Sequence, residues 1–287
     1  MRAPSNASTV CLFVLRWGGW LPWVSLLLRT MEMNPTLHFL LLGDKRPRSR
    51  SWPSNVAFFK QSLVGVKSRA HSALGVANTK LTIDGGGSKI SDFKPMLAHL
   101  FPELLQSGAG GRPCAFWGWQ QEDQLLGDIR SFLEPSFLAA YDIISPLPKP
   151  FYHAGPFMIY RNAPHVNSLY RKSKEWRKVV KSPYYLAFDE WWGADLEDDM
   201  CDVVQRESEA GRLRAYTSKP EVDGKGWLVD DYVYADKRPP RRAPKAPSLP
   251  SSSSSCWVLV DTRRLKIRRH DPMTMIHALR LRFPTMP

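Results

Sequence analysis

Long apolar runs are missing from this 287-residue chain. The longest near the start covers only residues 21–28, with Pro22 inside it, against the ~20 residues a membrane helix needs. The polar residues 1–9 and the short apolar run 10–15 carry no small-residue cleavage site. No transmembrane segment and no secretory signal is therefore expected. The default compartment is the cytoplasm, or a Golgi association if an anchoring segment precedes this chain. Cysteine is also scarce: Cys11, Cys114, Cys201 and Cys256 lie far apart, with no CxxC and no histidine at metal spacing. That pattern predicts neither a disulfide framework nor a zinc site, and the four read as small buried side chains. Acidic residues are scarce in one place only. Residues 237–287 hold 12 basic and 2 acidic side chains, which leaves 28 basic and 25 acidic for the rest of a chain whose net charge is +13. The body is nearly neutral, so a fold-wide nucleic-acid surface is not supported. Hydrophobic residues make up 43% and charged residues 23%, enough for a core and too apolar for wholesale disorder.

The chain begins with a short apolar run at 11–15, broken by Gly18 and Gly19. Val24, Leu27, Leu28 and Met31 then fall at helical spacing after Pro22, and Asn34-Pro35 ends that helix. Residues 37–42 read as a second buried strand and 56–59 as a third. A strand–helix–strand start implies a parallel pair joined by a crossover, hence an α/β domain. A helix is expected from Asp92, with Phe93, Met96, Leu97, Leu100 and Leu104 on one face and Pro95 tolerated in its first turn. Residues 114–119 form a strand that ends in Gln120-Gln121-Glu122-Asp123. Residues 128–133 look helical, 157–160 look like a strand, and Val166, Leu169, Tyr170, Arg177 and Val180 suggest another helix. Residues 227–234 alternate enough for a last strand. After Asp236 the composition turns to Pro, Arg and Ser, as in a linker or low-order tail. No internal repeat is present.

Four clusters could carry chemistry. In open α/β sheets ligands bind beyond the carboxyl ends of strands, and one such end carries Gln121, Glu122 and Asp123. Oxygen donors there could hold Mg²⁺ or Mn²⁺ against a diphosphate; a solvated polar turn is the plainer reading. Asp92, within Ser91-Asp92-Phe93-Lys94-Pro95, either caps a helix or serves a site. Asp189 and Glu190 sit among aromatics, as an acidic pair at a helix start or as a general base. His153 precedes a Gly-Pro turn, which suits a structural histidine. Arg161 and Asn162 follow the 157–160 strand and could bind an anion or satisfy loop carbonyls.

The order and spacing of these segments resemble a glycosyltransferase-like family of bacteria and algae with a GT-A type nucleotide-diphospho-sugar transferase domain. The resemblance rests on Asn34-Pro35 before the 37–42 strand, Asp92-Phe93-Lys94-Pro95, and Phe116-Trp117-Gly118-Trp119 with Gly127-Asp128-Ile129 beyond it. Gly155-Pro156-Phe157, Tyr160-Arg161-Asn162 and Phe188-Asp189-Glu190 complete it, over roughly residues 10–195. One departure matters: Gln121 stands where the family's D-x-D pair has its first acid, Asp123 holds the second, and Glu122 lies between.

The strand–helix–strand start and the buried strands, together with the resemblance, imply a GT-A-like, Rossmann-like mixed and mainly parallel sheet with helices on both faces, in a domain over residues 10–236. An N-terminal extension, 1–9, and a basic Pro/Ser-rich tail, 237–287, flank it. The resemblance implies metal-assisted transfer of a sugar from a nucleotide sugar to a glycan or other hydroxyl acceptor. Asp189 or Glu190 would be the base. Asp92, Lys94, Trp117 and Arg161 would bind the donor, and Asp123, Glu122 and Gln121 would hold Mn²⁺ or Mg²⁺. Gln121 adds no charge to that set, which leaves open a non-catalytic nucleotide- or carbohydrate-binding relative. A nucleic-acid-associated protein acting through the basic tail ranks third, because only Trp257 and Phe283 interleave the tail's charges.

Overall fold

The computed structural model of the chain describes residues 9–49, 51–76, 89–108, 110–148, 152–190 and 196–218, with two further short strands at 232–234 and 275–278. Strand β1 (Val10–Arg16), helix α1 (Val24–Glu32) and strand β2 (Leu37–Gly43) form the expected crossover unit, and β1 and β2 pair in parallel. Strand β3 (Val56–Lys60) adds in parallel to β2, and helix α2 (Leu63–Leu74) follows it. Strand β4 (Phe116–Gln120) lies parallel to β1 on its other side. After the short strand β5 (Gln124–Leu125) come β6 (Ile143–Pro148), β7 (Phe157–Arg161) and β8 (Ala215–Ser218). The main sheet has seven strands in the order β3-β2-β1-β4-β7-β6-β8. Strand β7 runs antiparallel to both β4 and β6, while β6 and β8 are parallel. The sheet is thus mixed and mainly parallel, with helices, in an α/β fold.

β1 shows why period-two alternation is absent from the sequence here. Cys11, Phe13 and Leu15 enter one apolar layer, and Leu12 and Val14 enter the other. Both faces are covered, so every position is apolar. The first layer holds Phe93, Trp117, Trp119 and Tyr160; the second holds Leu27, Leu28 and Phe39. Gly118 sits where β4 and β7 come closest, and a Cβ there would lie 1.8 Å from the Met158 carbonyl oxygen. The Phe-Trp-Gly-Trp order therefore has a steric cause.

Several expectations are corrected. The helix expected from Asp92 is a 3₁₀ stretch, Lys89–Met96, followed by two short helices, Leu97–Leu100 and Pro102–Ser107. Pro95 and Pro102 each lack the N–H that a continuous helix needs. The helix expected across 166–180 is three pieces, Pro164–Asn167, the 3₁₀ turn Leu169–Lys172, and Trp176–Lys181. The 128–133 stretch keeps only a 3₁₀ turn, Ile129–Ser131. Helix Met200–Glu209, started by an Asp199–Asp202 capping box, was not foreseen. Nor was the bond between Cys11 and Cys114, whose Cα atoms lie 5.8 Å apart across 103 residues of chain. β1–β4 pairing brings Val10 opposite Phe116 and so delivers both cysteines to one place. Cys201 is a buried thiol outside that bond.

Strand β9 (Tyr232–Tyr234) falls within the strand expected at 227–234, and β10 (Met275–Ala278) pairs with it antiparallel and with β5 in parallel. The remainder of the expected low-order tail, Cys256 included, lies outside the described residues. No helix among the described residues is long and apolar enough to cross a membrane.

Candidate functional site

Parallel pairing puts the carboxyl ends of β1, β2 and β4 along one edge of the sheet. The antiparallel strand β7 starts at that same edge, with Phe157 opposite Gln120. Arg16, Gln121–Asp123 and the 153–156 turn therefore meet there, and the Gln121 N–H donates to the Pro156 carbonyl at 2.9 Å. The Arg16 guanidinium reaches Glu122 at 2.8 Å, with both side chains partly exposed. Asp123 differs: its Oδ1 is buried and accepts no hydrogen bond among the described residues. Burial first, and the Glu122 charge second, push the Asp123 carboxyl up to about 7 against the pull of its own backbone N–H and then of Lys94 and Arg16.

The Lys94 ammonium is buried and donates to the Asp189 carboxylate at 2.7 Å and to the Gly155 carbonyl at 2.8 Å. Its charge acts on both Asp123 and Asp189. Asp189 is fully enclosed; burial raises its carboxyl to about 7, with Lys94 opposing and Glu190 and Asp92 adding to the rise. Tyr185 donates its hydroxyl to the other Asp189 oxygen at 3.3 Å. Asp92 accepts from the Leu186 and Phe188 amides at 3.0 and 2.9 Å and pairs with buried Lys89 at 2.7 Å. Between those two amides Ala187 adopts φ 55°, a left-handed conformation that a non-glycine residue holds only when its surroundings enforce it. Asp92 and Lys89 thus fix the loop that delivers Asp189 and Glu190.

His153 is the other brace. Its Nδ1 lies 2.8 Å from the Asp189 carbonyl oxygen, and its Nε2 meets the Tyr160 hydroxyl. A carbonyl only accepts, so Nδ1 carries the proton and Nε2 accepts from Tyr160. Burial lowers the imidazole to about 3, which keeps it neutral. Glu190 is half-buried and packs on the 153–156 turn: a Cβ on Gly155 would sit 2.2 Å from its Oε1. Of the two adjacent acids, Asp189 is sealed and Glu190 is only partly buried.

Two expected donor-binding residues stand elsewhere. Arg161 is at the far end of β7, opposite Phe116, about 13 Å of strand from Gln120. Its donors go to Asp142 at 2.9 Å and to the carbonyls of Leu138, Ala139 and Tyr141, so it clamps a loop. Trp117 is fully buried, stacks on Tyr160 at 4.8 Å and donates its indole N–H to Asn167. It offers no face to a base or sugar. Asp92 is likewise sealed, and it acts through the 186–188 loop. The site residues that sequence reasoning passed over are Arg16, Lys89 and Tyr185. Arg16 was detectable, since it is the first charge after the β1 apolar run, at a strand's carboxyl end.

The donor set for a divalent ion is thin. Gln121 is neutral, Glu122 is paired with Arg16, and no three His, Cys, Asp or Glu side chains converge among the described residues. Asp123 alone fits, through its unpartnered oxygen. One carboxylate is enough only when substrate phosphates and water complete the shell. Two clefts, of about 810 and 460 Å³, have none of these residues in their linings.

A family model described as a family of unknown function, DUF6625, matches residues 13–211. The chain belongs to that family. The match takes in the whole edge, from Arg16 to Glu190, so the site is part of the DUF6625 domain. No curated protein and no solved structure matches the chain.

Proposed function

We propose that this DUF6625 domain is a GT-A-like transferase that moves a sugar from a nucleotide-diphospho-sugar to a hydroxyl acceptor. The observation that carries the reading is the buried, unpartnered Asp123 oxygen at the carboxyl end of β4, at the same edge as the Arg16 and Lys94 cations. A buried acceptor without a donor costs about 1–3 kcal/mol, and a ligand that satisfies it would repay that cost. Sugar hydroxyls and the ion of a metal–diphosphate complex both do so. The mixed, mainly parallel sheet and the order of motifs along it support the same reading.

In this mechanism the acceptor oxygen bonds to the sugar's anomeric carbon as the bond to the diphosphate oxygen breaks. The electron pair leaves with the diphosphate. Glu190, the partly exposed acid beside the Gly155 turn, takes the acceptor's proton. Lys94 holds Asp189 in place and lends positive potential where negative charge departs, while Arg16 adds a second cation at the rim. Asp92, Lys89, His153 and Tyr160 act as positioning residues for the 186–190 loop. Mn²⁺ or Mg²⁺ held by Asp123, with Gln121 and Glu122 adjacent, would supply further stabilisation of the leaving diphosphate.

The alternative is a non-catalytic binder of nucleotides or carbohydrates, and the Glu122–Arg16 ion pair beside Gln121 favours it. Release of nucleoside diphosphate from a panel of UDP-, GDP-, ADP- and dTDP-sugars, measured with Mn²⁺, separates the two. Turnover that Glu190→Gln abolishes while donor binding persists supports the transferase. Donor binding without turnover supports the binder, and no binding of any donor refutes the transferase and a nucleotide binder alike.

A further inference from the structure

The 810 Å³ cleft lies between α1 and the 46–53 segment that follows β2. Arg29, Arg46 and Arg48 line it, together with Trp52 and the serines at 25 and 49. Arg29 is matched by Glu32 at 2.9 Å. Arg46 and Arg48 are exposed, and neither has an acidic partner within salt-bridge distance among the described residues. Two unmatched guanidinium groups in one concavity repel each other and raise the local potential, which an anion would relieve. The segment is held in place. Its start is tied to the β1 turn, where the Gly18 N–H donates to Asp44 at 3.1 Å and the Trp20 indole donates to the Lys45 carbonyl at 2.6 Å. Its end is pinned by the Trp52 indole, which donates to the Val56 carbonyl at 2.7 Å. The Arg46 guanidinium lies over the Trp52 ring, 4.2 Å from its centre, so its edge donors point away from the ring.

We infer that this cleft binds an anionic oligosaccharide, one bearing carboxylate or sulfate groups, as the acceptor track of the proposed transferase. The inference rests on the transferase reading for the word acceptor. Its geometry is independent of it: the Gly18–Asp44 and Trp20–Lys45 ties place the start of the track at the β1 and β2 carboxyl ends, along the edge that holds Asp123. Planar guanidinium groups pair with carboxylate and sulfate oxygens through two parallel donors, and serine hydroxyls suit sugar hydroxyls. Single-stranded nucleic acid fits less well. It needs free aromatic faces on which bases stack, and Arg46 already covers a face of the one indole here.

The test titrates the full chain with a heparin-derived hexasaccharide, an oligogalacturonate hexamer, neutral maltohexaose and an oligouridylate. Arg46→Ser/Arg48→Ser is compared with a control that removes two exposed cations elsewhere, Lys67→Ser/Arg112→Ser. The inference expects the groove variant to lose acidic-oligosaccharide affinity by about tenfold or more, each charge-assisted contact being worth that order. The control should keep its affinity, and maltohexaose should not bind. An equal loss in the control, an unchanged groove variant, or an oligouridylate affinity that depends on Arg46 and Arg48 as strongly would each overturn it. Nucleotide-sugar binding is measured in the same variants. Intact donor binding with no groove effect sinks the acceptor track alone. Absent donor binding with a clear groove effect sinks the transferase reading and leaves the anionic-glycan cleft standing.

Discussion

Cys11 and Cys114 close a loop of 103 residues between β1 and the entry to β4. Their removal gives a perturbation whose size can be worked out. In the chain-entropy treatment, a closed loop of about 100 residues restrains the unfolded chain by about 4.7 kcal/mol at room temperature. The bond is buried, with Cys11 fully enclosed and Cys114 nearly so, so the double variant Cys11→Ala/Cys114→Ala also loses some packing. A loss of about 4–5 kcal/mol is therefore expected, a third or more of the stability of an ordinary domain. Urea titration followed by intrinsic tryptophan fluorescence reads it directly. The slope against urea should rise as well, because the unlinked denatured chain is more expanded. Reduced wild-type protein should match the double variant. The argument fails if unreduced, unfolded wild-type protein takes up a thiol reagent on both Cys11 and Cys114, or if the double variant loses less than about 1 kcal/mol. Bonds of this kind persist in oxidising compartments, so alkylation of the protein in freshly lysed cells also tests the cytoplasmic default.

Three smaller perturbations follow from named contacts. Burial alone would raise Asp142, but hydrogen bonds from Arg214 and Arg161 outweigh it and hold the carboxyl at about 2 against an ordinary 3.8. The folded form then binds fewer protons than the unfolded one, so this contribution is complete above pH 3.8 and is lost as pH falls toward 2; Asp142→Asn should flatten that acid limb by about 1–2 kcal/mol, and an unchanged limb contradicts the assignment. Gly118→Ala should cost about 3 kcal/mol in thermal or urea unfolding, because its Cβ would meet backbone, whereas Gly65→Ala in α2 meets only the flexible end of Gln61 and the Ser62 hydroxyl and should be near neutral. Asp92→Asn should cost about 3 kcal/mol or more, since it strands buried Lys89, and hydrogen exchange at the Leu186 and Phe188 amides should accelerate; unchanged exchange would mean that Asp92 does not hold the loop.

The legible parts of the sequence were those set by local chemistry. The β1–α1–β2 unit follows from apolar runs, a helical stripe and Gly and Asn-Pro breaks, and it stands as expected. Gln121–Asp123 were found because a polar cluster ended an aromatic strand, and the structure brings them to the edge shared by Lys94 and the 189–190 pair. The parts that failed depend on strand direction and long-range pairing. Arg161 was assigned to the site from its motif, but β7 runs opposite to β4 and carries it to the far end. The Cys11–Cys114 bond depends on β1 pairing with β4, which no local pattern encodes. Trp117 and Trp119 gave no sign of which tryptophans are sealed, because aromatic side chains serve cores and binding faces alike.

The most direct measurement is calorimetric titration of nucleotide sugar plus Mn²⁺ into wild-type protein, Asp123→Ala and Gln121→Asp. The proposed site predicts binding by the wild type, no detectable binding by Asp123→Ala, and tighter metal-dependent binding by Gln121→Asp, which adds a second negative donor beside the first. Wild-type affinity retained in Asp123→Ala would contradict the claim that the carboxyl end of β4 holds the donor.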